Sequence, residues 1–383
     1  MKRIALVVLI LCVSFVSVAW GQQPARTCVN NWSEFHRTNM QRSNPCESGL
    51  GVNNVGNLSL KWFHYLGARV TSDPAVADGK VYLGSAGYVY ALKASTGAKV
   101  WSYAAGDHYV TSSPAVANGA VYFGSEEGNV YALNATTGAL LWSHATCCIV
   151  YSSPAVANGA VYVGEEDGNV YALNATTGAL LWSHNNGGHA VYSSPAVVNG
   201  AVYVGSVDFN VYSLNATTGA LLWSYNTGSY VYSSPAVANG VVYIGLYNGS
   251  VDALNATTGA LLWSYRTSGY LDSSPAVANG VVYIDSADSN VYALDAKTGL
   301  KLWSYATGGG VSSSPAVANG VVYVFAGDWN LYALNAKTGA KLWSYAFSKV
   351  SIASGSPVVA NAVVYIDPGN RDVYAFSLKQ DRK

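Results

Sequence analysis

From Asn57 onward, apolar residues alternate with small or polar ones over runs of four to six residues, and Asn-Gly, Asp-Gly or Thr-Gly closes most runs. That period of two, punctuated by tight-turn dipeptides, predicts short strands joined as hairpins, and nothing in it has the spacing of an amphipathic helix. One fully written copy reads Ser152-Ser153-Pro154-Ala155-Val156-Ala157-Asn158-Gly159, then Ala160-Val161-Tyr162-Val163-Gly164, Asn169-Val170-Tyr171-Ala172-Leu173 and Gly178-Ala179-Leu180-Leu181-Trp182. Each copy of about forty residues therefore holds four strands. The prolines recur at Pro74, Pro114, Pro154, Pro195, Pro235, Pro275, Pro315 and Pro357, and the tryptophans at Trp62, Trp101, Trp142, Trp182, Trp223, Trp263, Trp303 and Trp343, so there are eight units.

Four antiparallel strands repeated eight times without helices is the sequence form of an all-β, eight-bladed β-propeller. A linear solenoid would need polar capping repeats, and the two ends point instead to a closed ring. Leu58 to Tyr65 reads as a fourth strand with no preceding three, while the last unit stops after its third strand at residues 373–376. Pairing the two would complete the last blade and remove both exposed sheet edges. The expected organisation is a signal peptide at 1–21, an N-terminal segment at 22–56, the propeller at 57–378 and a tail at 379–383.

Composition refines the setting. Half of the residues are hydrophobic and a tenth are charged, enough apolar surface for a core between blades. Met1-Lys2-Arg3, an apolar run over 4–19 and the small-x-small site Ala19-Trp20-Gly21 predict a secretory signal, too short to span a membrane. Its removal takes Lys2 and Arg3 and leaves a slightly acidic chain without a basic patch, which argues against nucleic acid as partner. A secreted or periplasmic monomer is expected. In an oxidising compartment Cys28 and Cys46 would close a loop within the N-terminal segment, and Cys147-Cys148 would form a strained bridge between neighbours.

The stretch Ala293-Leu294-Asp295-Ala296-Lys297-Thr298-Gly299-Leu300-Lys301-Leu302-Trp303 resembles the tryptophan-docking repeat of the pyrroloquinoline quinone (PQQ) propellers. Most units carry Asn in place of the motif's Asp, as at Asn134, Asn174, Asn215, Asn255 and Asn335, and Asn serves the same turn. The resemblance implies that the eight repeat tryptophans wedge between blades, each ring nitrogen bonding to the backbone of the next repeat. It also implies two very different functions, because the motif is shared by quinoprotein alcohol dehydrogenases and by scaffold propellers that bind no quinone.

For the dehydrogenase reading, Cys147 and Cys148 are similar in type and position to the adjacent cysteines that lie against the quinone in methanol-type quinoproteins. The Asn-Arg-Gly run that follows them there is replaced here by Ile149-Val150-Tyr151. PQQ would rest near Tyr151, Tyr192 and Tyr232. These belong to a ring standing three residues before each proline, with Thr71, Thr111, Asp272, Ser312 and Ser354. Asp272, its lone carboxylate, is the candidate general base. Glu126 and Glu165, in loops between second and third strands, are candidate ligands for the calcium such enzymes need, although no calcium-loop signature is present. His108 and His189 sit in neighbouring variable loops, and Asp285 and Asp367 read as drift at a repeat glycine.

The near identity of blades 2 to 5 leaves little of the blade-by-blade individuality that a quinone site requires. The preferred reading is a non-catalytic binding or scaffold protein that takes a protein or small molecule on its variable-loop face. A PQQ- and calcium-dependent alcohol dehydrogenase is the alternative, and carbohydrate binding or cell-surface adhesion a weaker one.

Overall fold

The computed structural model describes residues 30–35, 37, 40–348 and 355–379. The expected signal peptide, Cys28 and Ser354 lie outside the described residues. What is described is an eight-bladed propeller of antiparallel sheets. Blade 3 is representative, with an inner strand Ala155–Ala157, then Ala160–Gly164, Asn169–Asn174 and the outer strand Leu180–Asn185. Asn158 and Gly159 between the first two strands both have positive φ, 51° and 77°, the mirror-image turn that matches strand twist. In blade 1 the second and third runs are continuous in Lys80–Lys93, which leaves that sheet with three assigned strands.

The ring closes as the two ends predict. Leu58–Tyr65 lies antiparallel to Asp372–Leu378, with Leu58 opposite Leu378 and Tyr65 opposite Asp372. Blade 8 is thereby built from both ends of the described chain.

The tryptophans dock as the resemblance implies. The Nε1 of Trp182 donates to the Ala216 carbonyl of the next blade at 3.0 Å, and Trp62, Trp101, Trp142, Trp223, Trp263 and Trp303 repeat the bond onto Ala94, Ala135, Ala175, Ala256, Ala296 and Ala336. Trp343 closes the series on Leu58. The Thr-Gly pair is needed for this contact: a Cβ on Gly219 would stand 2.6 Å from the Trp182 ring, and its φ of +71° disfavours other residues. Each alanine docking carbonyl also accepts a tyrosine hydroxyl, as Ala216 does from Tyr162 at 3.0 Å. Tyr323, whose blade faces the closure, has no such partner for its hydroxyl.

The serines before each proline hold the ring together at its axis. The first of each pair accepts the backbone N–H at the end of its own second strand, as Ser152 does from Gly164. The second accepts from the preceding blade. Asp73 N donates to Ser113 Oγ, and the chain continues through Ser153, Ser194, Ser234, Ser274, Ser314 and Ser356 back to Asp73 Oδ1, at 2.7–3.0 Å throughout.

Inner strands of a propeller expose unpaired backbone groups to the channel, and here residues 32–34 and 40–44 pair with them. Trp32 exchanges two backbone bonds with Val76. Val116, Val237, Val277 and Val317 donate to the carbonyls of Ser33, Met40, Gln41 and Arg42, and Val156 donates to the Glu34 carboxylate. Ser43–Asn44 then lies parallel to the inner strand of blade 7, and Asn44 Nδ2 reaches Val359 O in blade 8. The described part of the N-terminal segment forms a plug that enters the channel from the Asn-Gly-turn end. Cys46 within it is disulfide-bonded, while its expected partner Cys28 lies outside the described residues.

Trp32 lies outside the repeat, yet it is fully buried in the closure core with Val76, Leu50 and Val358. Trp182→Ala and Trp32→Ala should therefore each lower unfolding free energy by about 3–5 kcal/mol, read from denaturant melts. A loss below about 1 kcal/mol at Trp32 would show that the plug contributes little.

Candidate functional site

On the face opposite the Asn-Gly turns the channel opens into a cup of about 240 Å³. Phe35 of the plug lines it together with the serine ring, and Thr71, Thr111, Tyr151, Tyr192, Tyr232 and Asp272 line it as well. The ring predicted three residues before each proline thus converges on the axis. Ser312 is exposed and outside the lining.

The tyrosines continue outward. Tyr151 meets Tyr192 edge-on at 5.4 Å, Tyr192 stacks on Tyr232 at 5.9 Å, Tyr232 meets Tyr247 at 5.4 Å and Tyr247 stacks on Tyr270 at 5.1 Å. Tyr230 and Phe209 join at 4.8 Å, and their rings, with those of Tyr247 and Tyr270, stand in solvent. Sequence reading missed Tyr247 and Tyr270 because they occupy unlike positions in different loops. The available signal was an aromatic residue in successive variable loops of blades 4 to 6.

Asp272 is half-buried at the cup wall, its Oδ1 has no hydrogen-bond partner, and burial raises its pKa. Two carboxylates read as drift are in fact buried at the axis. Asp285 and Asp367 are both fully inside and burial pushes both pKa values well up; Asp285 lies near Ser313 at 3.4 Å and in the field of Arg42. Arg42, entirely buried, donates to the carbonyls of Phe35, Ser314, Pro315 and Pro357 and covers the Phe35 ring at 4.5 Å. Burial pulls its pKa down to about 10, against the opposing charges of Asp73 and Asp285, so it remains cationic at neutral pH.

Cys147 and Cys148 occupy the loop between the outer strand of blade 2 and the inner strand of blade 3. The acidic turns of these two blades flank them: Thr146 N bonds to Gly128 O, and Cys148 N donates to Glu165 Oε1 at 2.6 Å. The expected bridge is not formed. Both cysteines are free thiols with Sγ atoms 2.8 Å apart, and Cys147 also donates to Asp167 Oδ2 at 2.9 Å.

Glu126 and Glu165 are not brought together. Glu126 lies in a hollow with Arg69, Thr71, Tyr109 and Thr111, where burial raises its pKa and His108 opposes that shift. Glu165 is instead grouped with the two thiols. His189 donates its backbone N–H to Asn186, and neither it nor His108 belongs to that group. Asn134 and its copies accept the N–H groups two and three residues on, threonines except for Lys337 after Asn335, in keeping with their role in the turns.

The chain matches the family model described as outer membrane protein assembly factor BamB over residues 59–146, 85–230 and 208–383. It is 34% identical over 102 residues to lupanine 17-hydroxylase (cytochrome c) of a Pseudomonas species, a match that takes 24% of this chain and spans only 15% of that relative. Europium-containing methanol dehydrogenase superposes with a TM-score of 0.78 at 15% identity, covering 91% of this chain and 98% of its own. BamB from Moraxella catarrhalis gives 0.73 at 19% identity, covering 84% and 99%. Quinohemoprotein alcohol dehydrogenase from Comamonas testosteroni gives 0.79 at 17% identity, covering 92% and 81%. At these identities the solved structures establish a shared fold. No helix among the described residues is long and apolar enough to cross a membrane.

Proposed function

This chain belongs to the family of the outer membrane protein assembly factor BamB, built from PQQ repeats, and from that premise we propose that it is a non-catalytic binding scaffold. Its ligand, a protein segment or a small molecule, would dock on the variable-loop face across the tyrosines that lead into the cup. We place its action outside the cytoplasm, after removal of the signal at 1–21 and with a Cys28–Cys46 bridge.

The observation that carries this reading is the chemistry of the cup. Its lining holds the carboxylates of Asp73 and Asp272, with serine, threonine and tyrosine hydroxyls, and among the described residues no lysine or arginine. PQQ, the cofactor that the resemblance to quinoproteins implies, is a polycarboxylate. Burying such an anion beside carboxylates, without cationic partners, is strongly unfavourable. Arg69 lies in the adjoining hollow instead, and Arg42 beneath the cup spends its donors on backbone carbonyls. The residues present do not fit the quinone. The exposed aromatic rings of Tyr230, Tyr247 and Tyr270 suit a surface that presents large, stiff contact area to a partner.

Titration of the purified protein with PQQ and calcium should leave the quinone's visible absorbance unchanged and give no dye reduction with alcohols. Saturable spectral change accompanied by alcohol-dependent dye reduction would overturn the scaffold reading in favour of the dehydrogenase.

A further inference from the structure

The geometry points to a binding site for a thiophilic divalent cation of the zinc class between blades 2 and 3, formed by Cys147 Sγ, Cys148 Sγ and a Glu165 carboxylate oxygen. This site lies in the variable loops and is independent of what the axial cup binds.

Two departures from the repeat meet in space here. The turn position held by Ser125 in blade 2 and Ser206 in blade 4 is Glu165 in blade 3, and the loop that packs on it carries the adjacent cysteines. One ligand atom from each of Cys147, Cys148 and Glu165 lies within 4.8 Å of the other two. Ligand atoms of a tetrahedral zinc site stand about 3.3–3.8 Å apart, given metal–ligand bonds of about 2.0–2.3 Å. The thiols therefore need only small side-chain rotations.

The second observation concerns the carboxylate itself. Glu165 is fully buried, and its Oε1 is engaged by the Cys148 N–H while Oε2 is buried without a partner. A buried carboxylate oxygen without a partner is an unmet acceptor, and a cation beside it would meet that need. The turn that holds it is stiff: Glu165 N bonds to Asn169 O, while its carbonyl accepts from Gly168 and Val191. Asp167, at the solvent edge, accepts from Cys147 Sγ and Asn169 Nδ2, and would serve as fourth ligand or as hydrogen-bond partner to a bound water.

On binding, each thiol loses its proton to solvent as its sulfur coordinates the metal, with no change of oxidation state, so affinity should fall as pH is lowered. Paired sulfur donors favour zinc-class ions over calcium or magnesium, which take oxygen.

Cobalt(II) alone is a suitable probe, added anaerobically to the full mature protein with its thiols reduced. We expect a thiolate-to-cobalt charge-transfer band in the near ultraviolet, with the visible bands of a tetrahedral ion. These should saturate at one cobalt per chain and vanish on adding zinc. C147S/C148S should lose the charge-transfer band, whereas E165Q should keep sulfur ligation with affinity lowered at least tenfold. Thermal melts establish that the variants fold; should E165Q not fold, C147S, at an exposed position, must by itself weaken binding at least tenfold. Absence of the charge-transfer band from the reduced protein would overturn the assignment. So would a band of unchanged intensity in C147S/C148S, which would come from Cys46 and its partner, or unchanged cobalt affinity in a folded E165Q.

Discussion

A chain ended at Asp367 is expected to lose the cooperative transition of the whole ring, not merely to fray at its terminus. The deletion removes Asp372–Leu378, which hydrogen-bonds on one side to Val363–Ile366 and on the other to Leu58–Tyr65. Val373 and Phe376, both fully buried, go with it, each worth about 1.5–3 kcal/mol of burial. The larger loss is topological. Without that strand, blade 8 cannot hold Leu58–Tyr65, and Trp343 loses the Leu58 carbonyl it docks on as well as its edge contact with Phe376. Since a native domain is stable by only about 5–15 kcal/mol, the remaining blades should not survive as a ring. Circular dichroism melting reads this directly. A truncated chain that melts at the temperature of the intact protein would refute the closure.

Arg42→Ala should lower stability by about 3–5 kcal/mol, the range for deleting one partner from a buried charge arrangement. The substitution leaves the carbonyls of Ser314, Pro315 and Pro357 without their guanidinium donor. It also deprives Asp73 and Asp285 of the cation that holds their pKa values down against burial. Arg42→Lys keeps the charge but not the planar fork that serves several carbonyls at once, and should recover only part of the loss. Equilibrium denaturation of the three proteins measures the series. An alanine variant within about 1 kcal/mol of the parent would mean that the plug can leave without consequence.

The repeat was legible because its determinants are local. Alternation of apolar and small residues predicts strands, Asn-Gly predicts mirror-image turns, and the spacing of Pro and Trp counts the blades. Each of those features is satisfied within one or two neighbouring units, so one unit predicts the next. Even closure was readable, since a lone fourth strand and a missing one are complementary deficits. Cys147, Cys148 and Glu165 were each visible as oddities, but the sequence joined the cysteines to each other and Glu165 to Glu126. The fold instead sets Glu165 against the thiols, because the turn of blade 3 and the loop entering it share one edge.

The sequence alone determined the all-β ring, its eight blades and the convergence of Tyr151, Tyr192, Tyr232 and Asp272 on the axis, while the docking role of the tryptophans came from the family resemblance of the repeat. Only the tertiary structure decided what the channel contains. Trp32, Glu34, Arg42 and Asn44 belong to no repeat, and their partners lie tens to hundreds of residues away on different blades. No periodicity encodes such contacts. They arise because the inner strands leave backbone N–H groups facing a channel, and the described residues 32–34 and 40–42 satisfy those of blades 1 to 3 and 5 to 7. The buried titratable groups follow for the same reason: Asp285 reads as drift in a single repeat, and comes to lie in the field of Arg42 only when ring and plug are assembled.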